Sequence, residues 1–345
     1  MKRINFLDGF RGLAIVLVLF FHAFVRWTKN VPYGTEFSSF SIFKNGWLGV
    51  QLFFLISGFV ILMSLEKSTG FIQFIKKRWL RLFPTMLIAT IFIFVTATFF
   101  YERPNGLPNI IDIFPGLLFI NASYISTIFK LNIVALEGSF WSLFVETKFY
   151  LVFGFFYFYK GRSNAIALIF VLFLISLFIK LLAVYQIFVF VPKISFLIES
   201  FGFSYYGWFT SGALMYLYYT NKNINQLRLA ILIGTISVVS ISTSFEVFIY
   251  ATSLLTLFIF AVCNANLQLI FANKFLVYFG FISYPLYLLH ENMIISMINK
   301  INKYFVFLPN IFLPLLALLF LVGISHLITK FIEPHLHKYL SRQIF

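Results

Sequence analysis

Cysteine is almost absent. Cys263 is the only one in 345 residues, which excludes an internal disulfide and a cysteine metal centre. Charge is scarce too, at 11% of residues against roughly a quarter in soluble domains. Acidic groups are the rarest: 11 Asp and Glu stand against 26 Lys and Arg, a formal net charge of +15. The chain has no G-x-S-x-G elbow, no phosphate-binding glycine loop and no zinc-protease motif. His335 and His337 follow Pro334 without the neighbours of a metal site, so no metal is expected. No nucleic-acid motif accompanies the positive charge, and cytoplasmic loops of membrane proteins collect Lys and Arg in any case. A nucleic-acid partner is therefore not expected. Repeats, low-complexity tracts and linkers are also missing. The expectation is a single integral-membrane domain over 1–345 with no appended soluble domain.

What is abundant is apolar surface. The chain is 61% hydrophobic with a mean hydropathy of +0.94, the composition of an all-α polytopic protein whose main partner is the lipid bilayer. Runs long enough to cross fall near 10–28, 46–65, 84–101, 141–159, 164–184, 203–219, 228–245, 247–263, 283–299 and 311–330, about ten transmembrane helices. The segment 110–128 holds Asp112, Pro115 and Asn121 and reads as re-entrant or interfacial. The start is read as a retained first span, because Arg11 interrupts the charged lead and no small-x-small site follows His22. With a cytoplasmic N-terminus, more than half of the basic residues fall on one side, among them Lys2, Arg3 and the short loop "KKRWLR" at 76–81. Both termini are then cytoplasmic.

Ionisable groups within such spans are costly and point to function. Arg11 and His22 are eleven residues apart, so they share a helix face and lie about 16 Å apart along its axis. Snorkelling and a bond to a neighbouring helix would explain each alone; together they resemble two points along one channel. Arg78 and Arg81 are three apart in "FIKKRWLRLFP", and paired guanidiniums suit a phosphate, although inside positive charge accounts for them equally. "EGSFWSLFVETKFY" sets Glu146 inside the fourth span, either as a snorkelling partner of Lys148 or as a carboxylate that orients an alcohol or a histidine. "GFISYPLYLLHE" sets His290 and Glu291 near the middle of the ninth, after Pro285. His326 reads as packing.

Taken in order, "LDGFRGLAIVLVLFFH", "GVQLFFLISGFVI", "FIKKRWLRLFP", "FWSLFVETKFY" and "ISYPLYLLH" resemble the membrane-bound acyltransferase 3 family, bacterial acyltransferases that modify surface glycans. The tail "FIEPHLHKYL" is similar to that family's closing stretch more loosely. The resemblance implies ten spans and a cytoplasmic N-terminus in the bacterial inner membrane. It implies an acyl-CoA donor, usually acetyl-CoA, and a glycan or lipid-linked sugar acceptor of capsule, O-antigen or exopolysaccharide type. The family's arginine and histidine fall on Arg11 and His22, its paired arginines on Arg78 and Arg81, and its Trp-Ser-Leu-x-x-Glu stretch on Trp141, Ser142 and Glu146. Two departures are expected: no appended esterase-like domain, which some members carry, and Glu291 where many members carry an aromatic residue.

On that reading Arg11, Arg78 and Arg81 hold the donor's phosphates. His22 either takes the proton from the acceptor hydroxyl or carries the acyl group itself. Glu146 orients His22 or binds the sugar. His290, Glu291, Trp141 and Ser142 form a secondary site. A transporter or flippase of a glycan intermediate is the rival class; a glycan polymerase would call for a larger, more charged external loop than 102–140.

Overall fold

The computed structural model describes residues 4–185 and 191–344; Lys2 and Arg3 lie outside the described residues. Among the described residues there are helices and turns but no strands, as hydrocarbon demands of a chain that must satisfy its own backbone. The helices of sixteen or more residues are α1 (Asn5–Phe21), α2 (Gly49–Leu65), α3 (Phe71–Thr96), α4 (Trp141–Lys160), α5 (Arg162–Val184), α6 (Tyr206–Asn221), α7 (Ile224–Ile241), α8 (Phe245–Cys263), α9 (Lys274–Tyr304) and α10 (Phe312–Leu327).

Among the described residues seven helices are long and apolar enough to cross a membrane, or up to nine if two bent pairs each make one span. The shorter count has physical causes. Helix α6 has 16 residues, about 24 Å of rise. Helix α4 carries Glu146 and Lys148. The segment read as re-entrant or interfacial forms Ile110–Leu118 and Ala122–Phe129, bent by 119°.

One expectation is corrected. The "KKRWLR" stretch, read as a loop, lies inside α3, a continuous helix of 26 residues with Pro84 within it. No helix breaker separates Phe71 from Pro84, and about 39 Å of helix holds both an interfacial basic turn and an apolar stretch. Arg78 and Arg81 therefore lie on one continuous helix.

The chain divides into two compact units. The first comprises residues up to Phe10, Val50–Arg78 and Val145–Ala272. Its helices touch through glycine, because lipid gives little hydrophobic drive between helices and close backbone approach has to supply it. A Cβ at Gly58 would stand 2.0 Å from the Phe209 carbonyl oxygen, and one at Gly212 would stand 1.9 Å from that of Leu55. Phe59, Phe149, Tyr206, Trp208 and Phe209 are fully buried around that crossing. The Ser211 hydroxyl donates to the Ala230 carbonyl at 2.7 Å and so ties α6 to α7.

The second unit comprises Arg11–Gly49, Trp79–Phe144 and the chain from Asn273 onward. Helix α1 is seated here by the same device. A Cβ at Gly12 would meet the Leu276 carbonyl oxygen at 2.0 Å and the Gly280 nitrogen at 3.0 Å. Ten residues further along each helix, His22 meets His290. Helices α1 and α9 therefore run in the same direction. Gly46 and Gly49 pack against the carbonyls of Leu17 and Ala14 in the same way.

Candidate functional site

Helix α1 changes character at His22. Residues His22–Arg26 form a single π-helical turn, a feature that often marks functional positions. The carbonyl of Ala23 receives the Tyr33 hydroxyl. Phe24 stacks on Phe43 at 4.4 Å and packs edge-on against Phe37. The stretch after His22 is thus held by aromatic packing rather than by continued α-helix.

Three side chains named from sequence converge in the second unit. His22 Nδ1 lies 2.9 Å from the Val18 carbonyl and 3.2 Å from His290 Nε2. The two rings are nearly perpendicular, at 87°, with centroids 4.5 Å apart. His290 Nδ1 lies 2.7 Å from the Tyr287 carbonyl. His22 Nε2 lies 4.0 Å from Glu291 Oε1. His290 is fully buried, whereas the His22 side chain keeps 12% of its surface exposed, so His22 is the more accessible of the two rings.

The hydrogen bonds assign the tautomers. A carbonyl oxygen only accepts, so Nδ1 of His290 carries its proton and its Nε2 presents a lone pair. That lone pair faces His22 Nδ1, which also faces the Val18 carbonyl; Nδ1 of His22 is therefore the protonated nitrogen. His22 Nε2 is left with its lone pair, with Glu291 Oε1 4.0 Å away. A proton arriving at that nitrogen makes an imidazolium whose charge Glu291 meets directly.

Glu291 is itself held in place. Its Oε2 accepts the backbone N–H of Ser139. A Cβ on Gly138 would stand 2.9 Å from both carboxylate oxygens, so only glycine leaves room for the carboxylate there. The Tyr287 hydroxyl donates to the Ser139 carbonyl at 3.1 Å and pairs with the Ser142 hydroxyl at 2.7 Å. Ser142 thus joins the same constellation through Tyr287. Gly138, Ser139 and Tyr287 were not singled out from sequence. Tyr287 was the legible one, because positions 287, 290 and 291 follow the i, i+3, i+4 spacing of one helix face. The role of Gly138 depends on contact with a residue far along the chain and leaves no local signal.

The other residues named from sequence have these settings. Glu146 belongs to the first unit, where it accepts hydrogen bonds from Ser57 at 2.6 Å and from Tyr150. The carboxylate beside His22 is Glu291. Arg11 lies on α1 and Trp141 opens α4. Arg81 lies within charge range of Glu333, on the helix Glu333–Ile344, a pairing the loosely read tail concealed. His326 Nδ1 lies 3.3 Å from the Tyr278 hydroxyl. Among the described residues no three His, Cys, Asp or Glu side chains are grouped to hold a metal ion.

Peptidoglycan O-acetyltransferase OatA of Listeria monocytogenes is 26% identical over 166 residues, 44% of this chain and 24% of that protein. A "Putative O-acetyltransferase" of Staphylococcus aureus is 27% identical over 164 residues, again 44% of this chain and 24% of the relative. The matched region thus spans about a quarter of the length of these relatives. No solved structure matches. The family pattern described as acyltransferase domain matches residues 4–330. That match takes in nearly the whole chain, which therefore belongs to the acyltransferase 3 family.

Proposed function

We propose that this protein transfers an acetyl group from acetyl-CoA to a hydroxyl of an exported or surface glycan, with His22 Nε2 as the general base. The observation that carries this reading is the lone pair of Nε2 on the one partly exposed ring, backed by Glu291 and by His290. The acceptor hydroxyl attacks the thioester carbon while its proton passes to Nε2. The C–S bond then breaks, and the coenzyme A thiolate takes the proton back from the imidazolium. General-base catalysis of this kind contributes about 10²–10⁴-fold. The family membership and the O-acetyltransferase names of the relatives support the reaction class. The glycan acceptor extends the name of the Listeria relative to this chain.

Arg11, Arg78 and Arg81 are proposed to hold the donor's phosphates at the cytoplasmic face of a bacterial inner membrane, with both termini on that side. Planar guanidiniums suit polyphosphate. Glu146, with its two hydroxyl partners, is proposed to help bind substrate rather than to move the proton; Trp141 stays in that supporting group. The experiment is transfer of label from acetyl-CoA into the glycan fraction by membranes carrying wild type or His22→Ala. Label that depends on His22 supports the reading. Equal label in both, or none with the protein folded and a native glycan present, counts against it.

A further inference from the structure

Next to Glu291 lies a second buried carboxyl that the transfer step does not use. Glu137 is 1% exposed. Its Oε2 accepts the backbone N–H of Asn292 at 2.9 Å and the side-chain Nδ2–H of the same residue at 2.8 Å. Asn292 Nδ2 also donates to the Leu136 carbonyl at 3.1 Å, and its Oδ1 accepts the N–H of Asn105 at 3.1 Å. Arg103 closes the group, donating to the Leu136 carbonyl at 2.5 Å and facing Glu137 Oε1 at 3.5 Å.

The 136–139 segment and the 287–292 stretch of α9 are thus fastened along their length by buried polar contacts. Leu136 and Glu137 hold Asn292, the Ser139 amide holds Glu291, and the Tyr287 hydroxyl holds the Ser139 carbonyl. Glu137 has extended backbone, φ −132° and ψ 134°. Its carbonyl accepts the Phe140 N–H at 3.4 Å to open the single 3-10 turn Gly138–Phe140, and its side-chain bonds tie the start of that turn to α9. Glu291 is aimed at His22 only while the Ser139 N–H and the open face of Gly138 stay where they are.

We propose that Glu137 is a positioning residue: by accepting both Asn292 donors it fixes residues 137–139 so that Ser139 and Gly138 hold Glu291 against His22. The proposal rests on His22 and Glu291 being the proton-handling pair. Displacements of about 1 Å in such a site cost on the order of 100-fold in rate, so the effect belongs in turnover, not in donor binding.

The test uses the full-length protein in nanodiscs with Glu137→Leu, which removes the acceptor, and Glu137→Gln, which keeps an acceptor oxygen. Glu137→Leu is expected to lower kcat at least about tenfold with KM for acetyl-CoA unchanged, and Glu137→Gln to recover most of that loss. Asn292→Ala carries the test if Glu137→Leu fails to fold, with a smaller kcat loss and the same unchanged KM. A second readout needs no turnover: carbethoxylation of His22 by diethyl pyrocarbonate, located by mass spectrometry. There Glu137→Leu should reproduce the rate change of Glu291→Gln, and Glu137→Gln should match wild type. The proposal is overturned by a folded Glu137→Leu or Asn292→Ala with wild-type kcat and wild-type His22 reactivity. It is also overturned if Glu137→Gln is as impaired as Glu137→Leu. A wild type that modifies normally at His22 yet transfers no acetyl group would instead count against the acyl-transfer reading.

Discussion

At the scale of single residues, everything turns on which nitrogen of His22 is free. Val18 and His290 both lie against Nδ1, so chemistry is left to Nε2. Gly138→Ala is the sharpest test of the carboxylate behind it. The added methyl would stand 2.9 Å from both Glu291 oxygens, and the flexible carboxylate end must move. We expect about a tenfold loss of kcat with little change in melting temperature; wild-type turnover would show that the place of Glu291 does not matter.

Glu137 makes a separate prediction about stability. Burial pushes its carboxyl up to about 8, with the Glu291 charge acting in the same direction, against the pull of Arg103 and the Asn292 hydrogen bonds. An unfolded carboxyl ionises near 4.5. Between those values the folded protein binds more protons than the unfolded chain. The contribution to stability is therefore fully present below about 4.5 and is lost as pH rises to about 8. Glu137→Gln cannot ionise. The melting temperature of wild type should fall relative to that variant from pH 5 to pH 8, whereas parallel curves would contradict the assignment.

At the scale of elements, the register of α1 on α9 decides whether the two histidines meet. Gly12 sets that register, since a Cβ there would run into the Leu276 carbonyl at 2.0 Å, and backbone cannot yield as a side chain can. Gly12→Ala should destabilise by about 1–3 kcal/mol or more, read as lost folded yield and a lower melting temperature. Gly323→Ala, with nothing within 4 Å of its added carbon, should be silent; equal effects would remove Gly12 from this role.

Much of this was legible in the sequence, and for physical reasons. Arg11, His22, His290 and Glu291 stand out because ionisable groups are rare in apolar runs. Asp112, Pro115 and Asn121 made it legible that 110–128 is no plain straight span, and the helices there bend by 119°. What stayed hidden depends on distant contacts. The depth of Glu146 in its span suited it to orient an alcohol or a histidine, and its carboxylate accepts hydrogen bonds from the hydroxyls of Ser57 and Tyr150. The basic turn at 76–81 read as a loop because charge interrupts the apolar pattern, whereas a helix tolerates charge wherever its turn meets the interface.

At the scale of the whole molecule, each unit carries its own marker of sidedness. In the first, Arg162 bonds Glu66 at 2.9 Å, so the turns after α2 and α4 share one side. In the second, Asn310 bonds Glu36 at 2.6 Å, so the turns after α1 and α9 share one side. On the proposed orientation, with a cytoplasmic N-terminus, the first pair is expected in the cytoplasm and the second outside. Cys263 is the only native cysteine, so a Cys263→Ser background allows single-cysteine labelling. Cysteine at Ser163 should react with an impermeant maleimide only after the cells are opened, and cysteine at Asn310 should react in intact cells. The reverse pattern would invert the topology.

The most direct measurement is a double-mutant cycle on acetyl transfer, using His22→Ala, Glu291→Gln and the two combined, expressed per folded molecule. If His22 Nε2 takes the proton and Glu291 acts only by meeting the resulting charge, each single change slows kcat and the double is no slower than His22→Ala alone, as expected of groups that act as a unit. Losses that multiply, or a His22→Ala enzyme that still turns over at the wild-type rate, would contradict the assignment of His22 as the base.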